Sequence, residues 1–168
     1  MILRKLELKD APLMYEWMTA KDVNKYFRFD PTKVTIKSCE EFIRNSFNDE
    51  NRTYAIVDIN DEYVGSISLK HIDMNDKNAE FAIAIRDKYR GKGYGTKAVN
   101  ELFEVAFKEI GLNKIYLNVL SDNDNAIKLY EKVGFKYEGE LKKHICINGV
   151  FRNLKLYGIW REDYEKRS

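Results

Sequence analysis

The stretch AEFAIAIRDKYRGKGYGTK, residues 79–97, decides how the rest of the chain folds around it. Ala79 to Arg86 has the composition of a strand, and Arg90 to Thr96 is a glycine-rich loop. A helix follows to about Ile110, with Ala98, Val99, Leu102, Phe103, Ala106, Phe107 and Ile110 along one stripe. Strand, glycine loop and helix in that order gather backbone N–H groups at a helix N-terminus, which is an anion site. Glycine lets a ligand come close to the backbone, and Arg90, Lys92 and Lys97 add positive charge. The natural guest is a pyrophosphate. The P-loop pattern fails because no Gly-Lys-Ser/Thr closes the loop. The dinucleotide pattern fails because Gly91, Gly93 and Gly95 lie two apart and its third required position is Thr96. A turn without a ligand remains the plain alternative.

Parity makes the strand before the loop informative. Phe81, Ile83 and Ile85 share one face; Glu80, Ala82 and Ala84 share the other. The bulky face belongs to the core. The small face leaves room for a slender ligand beside one carboxylate, unless Glu80 is simply a solvated charge at a strand end.

Outward from this segment the elements are regular. Ile2 to Leu8 reads as a strand, and Asp10 caps a helix with Pro12 in its first turn. Thr35 or Ser38 caps a second helix with Ile36, Cys39 and Ile43 at helical spacing. Thr53 to Ile59 and Tyr63 to Ile72 form a hairpin around Asn60-Asp61-Glu62. Ile115 to Leu120 is a strand, and Asn123 to Val133 is a helix stopped by Gly134. A last hairpin, Tyr137 to Ile147 and Val150 to Trp160, turns on Asn148-Gly149. The order βααβββαβαββ describes an α/β (α+β) fold, a mixed sheet with helices on both faces. With no repeat, linker or low-complexity tract, residues 1–168 read as a single domain.

Composition narrows the function. The 29 Lys and Arg against 27 Asp and Glu give a net charge of +2, which argues against a partner that is nucleic acid or anionic membrane. No apolar run is long enough to span a bilayer, and the charged opening lacks a signal-peptide core. Cys39 and Cys146 read as two buried thiols in a reducing, cytoplasmic setting, and no metal site is expected. His71, His144, Trp17 and Trp160 read as structural.

Two motifs together resemble the GNAT superfamily of N-acetyltransferases. Arg90-x-x-Gly93-x-Gly95 is similar to the acetyl-CoA pyrophosphate loop, and NDNAIKLYEKVGF, residues 123–135, is similar to the family's second motif. Both occur in the family's order, and Glu138-Gly139 with the final hairpin resembles the branch of ribosomal-protein alanine and spermidine acetyltransferases. The resemblance implies a splayed central sheet and acetyl-CoA as acetyl donor. It implies that pantetheine pairs with the backbone of Ile83, Ala84 and Ile85. Pyrophosphate would then sit on Arg90, Gly91, Lys92, Gly93, Tyr94, Gly95 and Thr96, with Asn123 also on the cofactor. It further implies Tyr130 as general acid, although its spacing to Ala126 and Ile127 also suits the core, and Glu80 as base, directly or through water.

The chemistry asks for those parts independently. A primary ammonium must lose a proton before it attacks, and a carboxylate can accept it. Attack on a thioester makes an oxyanion that a strand amide at Ile83 or Ala84 would stabilise. The leaving thiolate needs a proton, which a phenol can give. No Ser-His or Cys-His pair suggests a covalent intermediate.

The resemblance implies that the acceptor, a small-molecule primary amine, lies against the first two helices, their connecting loop and the final hairpin. That loop, KDVNKYFRFD at 21–30, carries Lys21, Lys25 and Arg28 against Asp22 and Asp30, with Tyr26, Phe27 and Phe29 between them. Arg28 pairing with phosphate and Tyr26, Phe27 or Phe29 stacking on a base favour a nucleotide-linked amino sugar. A protein N-terminus ranks second. A polyamine, which wants an acidic cleft, ranks third. The aromatics anchoring the loop to the core is the alternative. The hairpin offers a place for a homodimer contact.

Overall fold

A computed structural model of the chain describes residues 1–21 and 25–167. One mixed sheet of seven strands runs in the order β1-β2-β3-β4-β5-β7-β6. The strands are β1 Leu3–Lys5, β2 Arg52–Val57, β3 Tyr63–Asp73, β4 Asn78–Ile85, β5 Lys114–Leu120, β6 Lys136–Ile147 and β7 Val150–Trp160. The helices are α1 Ala11–Met18, α2 Ile36–Arg44, α3 Tyr94–Phe103, α4 Asp124–Val133 and α5 Arg161–Glu165. The expected element order is present; the short α5 carried no capping signal.

Local chemistry sets the ends of most elements. At α2, Thr35 is the cap: its Oγ1 accepts from the Ser38 N–H at 3.0 Å, and Ser38 Oγ accepts from the Thr35 N–H at 2.9 Å. Cys39 and Ile43 face the core from this helix, while Ile36 is exposed. Asp10 precedes α1 as expected but does not cap it. Its carboxylate is buried and held by Arg4 at 2.8 and 2.9 Å and by the Glu7 N–H at 2.8 Å. The last hairpin turns where Asn148 (φ 51°) and Gly149 (φ 79°) are both left-handed, the geometry that Asn-Gly favours. Past Phe103 the α3 helix widens into π-type turns over Glu104–Ile110, which the apolar stripe alone does not reveal.

The two faces of the sheet are covered differently. On one face α3 and α4 pack over Ile56, Ile67, Leu69, Phe81, Ile115, Leu117 and Ile159, the main core. On the other, α1 and α2 cover Ala55, Val57 and Tyr63. Further along that second face lies a separate small cluster of Leu120, Ile145, Ile147 and Leu154.

Among the described residues only one neighbouring pair of strands is parallel, β4 with β5, and it is short. Asn78 pairs with Lys114, Ala79 with Ile115 and Glu80 with Tyr116. Beyond that β4 runs on to Ile85 and β5 to Leu120 without pairing. The strands splay. As a result Ala82 to Ile85 are half-buried although they lie on the middle strand of seven.

Candidate active site at the strand splay

The splay leaves backbone groups facing a gap. The Arg86 N–H donates to the Val64 carbonyl at 2.9 Å. Ser66 stands opposite Ala84, Ser68 opposite Ala82 and Lys70 opposite Glu80. In an antiparallel ladder hydrogen-bonded pairs alternate, so Glu80, Ala82 and Ala84 turn their backbone groups toward β3. Ile83 and Ile85 turn theirs toward the gap. Of the three residues expected to offer backbone there, Ala84 is therefore different: β3 takes its N–H and carbonyl, and its methyl faces the α1 side.

The glycine loop lies at the end of β4. Gly91 (φ 72°) and Gly93 (φ 86°) are left-handed with open space around them, so backbone conformation is what calls for glycine there. Gly95 answers a different need: a Cβ would meet Leu129 at 3.1 Å and Ile85 at 3.3 Å, so glycine sets how closely α3 approaches α4. Gly93 is the residue before α3 and no side chain caps the helix. The first-turn N–H groups of Tyr94, Gly95 and Thr96 have no intrahelical acceptor. Arg90 is exposed and turned back on its own strand, pairing with Asp87 at 3.2 Å and donating to the Ile85 carbonyl at 3.3 Å. Lys92 lies over the Tyr89 ring at 5.8 Å.

A brace beneath this loop was invisible in the sequence. Buried Arg86 donates to Glu62 at 3.0 Å and to the Tyr63 carbonyl at 2.7 Å, and pairs with Glu16 of α1 at 3.3 Å. Tyr89 donates to Asp58 and Glu62, both at 3.0 Å, and its ring meets Tyr94 edge-on at 5.3 Å. Lys88, Arg86 and Tyr89 together pull the Glu62 carboxyl down to about 2. These partners lie tens of residues apart in the chain, so no local spacing announces them.

Glu80 and Tyr130 sit on opposite faces of the sheet. Tyr130 is buried under α4, edge-on to Phe81 at 5.7 Å and to Phe135 at 5.9 Å. Burial pushes its phenol up to about 12, and among the described residues its hydroxyl makes no hydrogen bond. Such a group stays protonated and can donate. Glu80 is mostly buried on the α1 side. Asn118 of β5 donates to its Oε1 at 3.2 Å, and Lys70 Nζ and His71 Nε2 each lie 3.7 Å from its Oε2. Small polar side chains extend along this face. Ser66 bonds Tyr63 Oη at 2.6 Å, Ser68 bonds Thr53 at 2.9 Å, and Ala82 and Ala84 lie beside them.

Asn123 caps α4, its Oδ1 accepting from the Ala126 N–H at 3.4 Å, and is half-buried. The aromatics of the connecting loop pack inward. Tyr26 lies against the Leu120 cluster, while Phe27 and Phe29 meet Trp17 at 5.4 and 6.0 Å and each other at 5.8 Å. Arg28 is exposed on a cavity of about 340 Å³ that joins Phe27–Pro31 to Cys146–Asn148 of the hairpin. Asp22 lies outside the described residues. Of the cysteines Cys39 is buried, but Cys146 is exposed, because it alternates with the buried Ile145 and Ile147 on β6. Among the described residues no helix is long and apolar enough to cross a membrane, and no group of three His, Cys, Asp or Glu could hold a metal.

This geometry agrees with what the chain resembles among known proteins. Residues 1–136 match the family model described as an acetyltransferase (GNAT) domain. The chain belongs to that family, and it is an N-acetyltransferase that uses acetyl-CoA. It is similar to the spermidine N(1)-acetyltransferase of Escherichia coli K12, 30% identical over 96% of this chain and 87% of that protein. A putative ribosomal N-acetyltransferase of Bacillus subtilis, YdaF, is 27% identical over 97% of this chain and 92% of the relative. The crystal structure of spermidine N-acetyltransferase from Vibrio cholerae in complex with CoA and spermine superposes with a TM-score of 0.88 at 28% identity. The match covers 97% of this chain and 96% of that one.

Proposed function

We propose that this enzyme acetylates a primary amine of a polyamine or similarly slender aliphatic amine. The carrying observation is the α1-side face of β3 and β4 beside the gap, where Ser66, Ser68, Ala82 and Ala84 present only small side chains up to Glu80, which suits a slender chain. The aromatic loop supports the same revision, since Phe27 and Phe29 spend their faces on Trp17 and one another. The full-length likeness to spermidine acetyltransferases points the same way, so the sequence ranking that put polyamines last is reversed. One observation favours an amine on an anionic carrier: the 340 Å³ cavity carries Arg28 beside Asp30.

The donor supplies an activated acyl group as a thioester. The uncapped N–H groups from Gly91 to Thr96 fit its pyrophosphate, and the gap-facing backbone of Ile83 and Ile85 fits its pantetheine. Asn123, at the start of α4, borders the same end of the gap. Glu80 takes the ammonium proton, directly or through water. Ile83 N–H is the donor for the developing oxyanion. Tyr130, kept protonated by burial, gives its proton to the departing sulfur from the opposite face, and the second proton, released by nitrogen as the amide forms, restores the phenol.

Acetyl-CoA consumption measured in parallel with spermidine, an alanine-starting peptide and a nucleotide-linked amino sugar tests the acceptor. Spermidine is expected to give the highest kcat/KM. Turnover of the amino sugar without turnover of spermidine would reverse the assignment.

A further inference from the structure

Glu80 must lose each proton it accepts before the next turnover. Its surroundings on the α1 side hold two groups from β3, Lys70 and His71, and two from β5, Tyr116 and Asn118, with Asp73 farther along the bulge. Asn118 is a donor to Oε1 and Lys70 is a cation beside Oε2; neither can accept a proton from a carboxylic acid. His71 can. It sits where β3 departs from regular register with β4, between Lys70 and Asp73, and has a left-handed backbone at φ 51°. Left-handed backbone is uncommon outside glycine, and histidine is among the residues that adopt it most readily. The Asn51 side chain secures it, Oδ1 accepting the His71 N–H at 3.2 Å. The bulge leaves the imidazole largely in solvent while Nε2 stays 3.7 Å from Glu80 Oε2. Without the bulge, strict alternation would send residue 71 to the face opposite Lys70 and Glu80.

We infer that His71 is the proton outlet of Glu80. The inference rests on Glu80 as base. The acceptor ammonium gives its proton to Glu80 Oε2, which becomes a neutral carboxylic acid. His71 Nε2 then takes that proton, restoring the carboxylate, and the resulting imidazolium releases it to solvent. One proton crosses each step and no electrons are exchanged. Asn118 holds the other carboxylate oxygen, so Oε2 is the one left for transfer.

The test is His71→Asn, because asparagine tolerates the left-handed backbone and the substitution removes only the imidazole. Its kcat at neutral pH in a weakly buffering medium is expected to fall about tenfold, less than the roughly 10²–10⁴-fold of a group acting on substrate, because water and residual buffer take the proton in its place. Added imidazole should restore it in proportion to concentration, with KM for acetyl-CoA and the melting temperature unchanged. Glu80→Gln is run beside it. If Glu80→Gln is impaired while His71→Asn keeps the parent's kcat and pH profile without any buffer dependence, the outlet is wrong and the base stands. If Glu80→Gln itself turns over normally, the base assignment fails and the outlet fails with it. A His71→Asn defect that imidazole does not relieve would make His71 structural and overturn the inference.

Discussion

The two faces of the sheet at the splay are made of opposite materials. Under α4, Phe81, Phe135 and the ring of Tyr130 form an aromatic cluster closed to water. On the α1 side, at the same level of β4, Glu80 keeps polar company with Asn118, Lys70 and His71 over a floor of serines and alanines. One strand supplies both, because neighbouring residues point to opposite faces. The consequence is chemical. A phenol in the dry face is held neutral and can donate, while the carboxylate in the polar face, bonded by Asn118, is the group proposed to accept a proton.

The sharpest way to break the contrast is at Glu80. Glu80→Gln keeps the shape and the Asn118 contact but removes the carboxylate proposed as base. Turnover at neutral pH is expected to fall ~10²–10⁴-fold and to recover partly at high pH, where free amine is abundant; a pH–rate profile measures both. A parent-like profile would move the base elsewhere. Tyr130→Phe tests the dry face. The maximal rate should fall by roughly 10²-fold with acetyl-CoA affinity retained in calorimetry. Lost affinity with a normal residual rate would mark Tyr130 as packing only.

The dry face should also be visible in stability. Burial raises the Tyr130 phenol from its ordinary 10.0 to about 12, and Tyr63, buried against α1, likewise. A phenol raised in the folded state contributes its full stability below pH 10 and loses it as pH climbs from about 10 to 12. A rise of that size corresponds to roughly 2–3 kcal/mol for each phenol. Urea unfolding across that range should decline more steeply for the parent than for Tyr130→Phe; equal slopes would mean the phenol is hydrated. The smallest effect belongs to Arg90, which is exposed and already paired with Asp87. Arg90→Ala should weaken acetyl-CoA by about 1 kcal/mol, with a loss that shrinks as salt rises; unchanged binding by calorimetry would take Arg90 out of the site.

Much of the local fold around the glycine loop and α4 was legible because its signals are short-range. Gly91 and Gly93 are needed for their own φ angles, Asn123 for the first turn of α4, and Gly134 (φ 108°) for its end. Such demands are met within a few residues, so they appear as motifs. The acceptor side was less legible. The sequence placed Tyr26, Phe27, Arg28 and Phe29 near the final hairpin, and the 340 Å³ cavity joins those segments. It did not reveal that the three rings pack on Trp17 and the Leu120 cluster, because ring partners 10 or more residues away leave no periodicity. The weight it gave to stacking on a base went astray for that reason.

Sequence alone determined the strand–glycine loop–helix unit, the element order and the parity that separates Glu80 from Phe81, all consequences of backbone geometry over a few residues. Tertiary structure decided the rest. It turned Ala84's backbone to β3 and left Ile83's to the gap, braced the loop through Arg86, Glu62 and Tyr89, and brought His71 beside Glu80 through a bulge. Those outcomes depend on which strands pair, where their register slips and where they part. Pairing between distant segments is fixed by the packing of the whole sheet, not by any window of the chain.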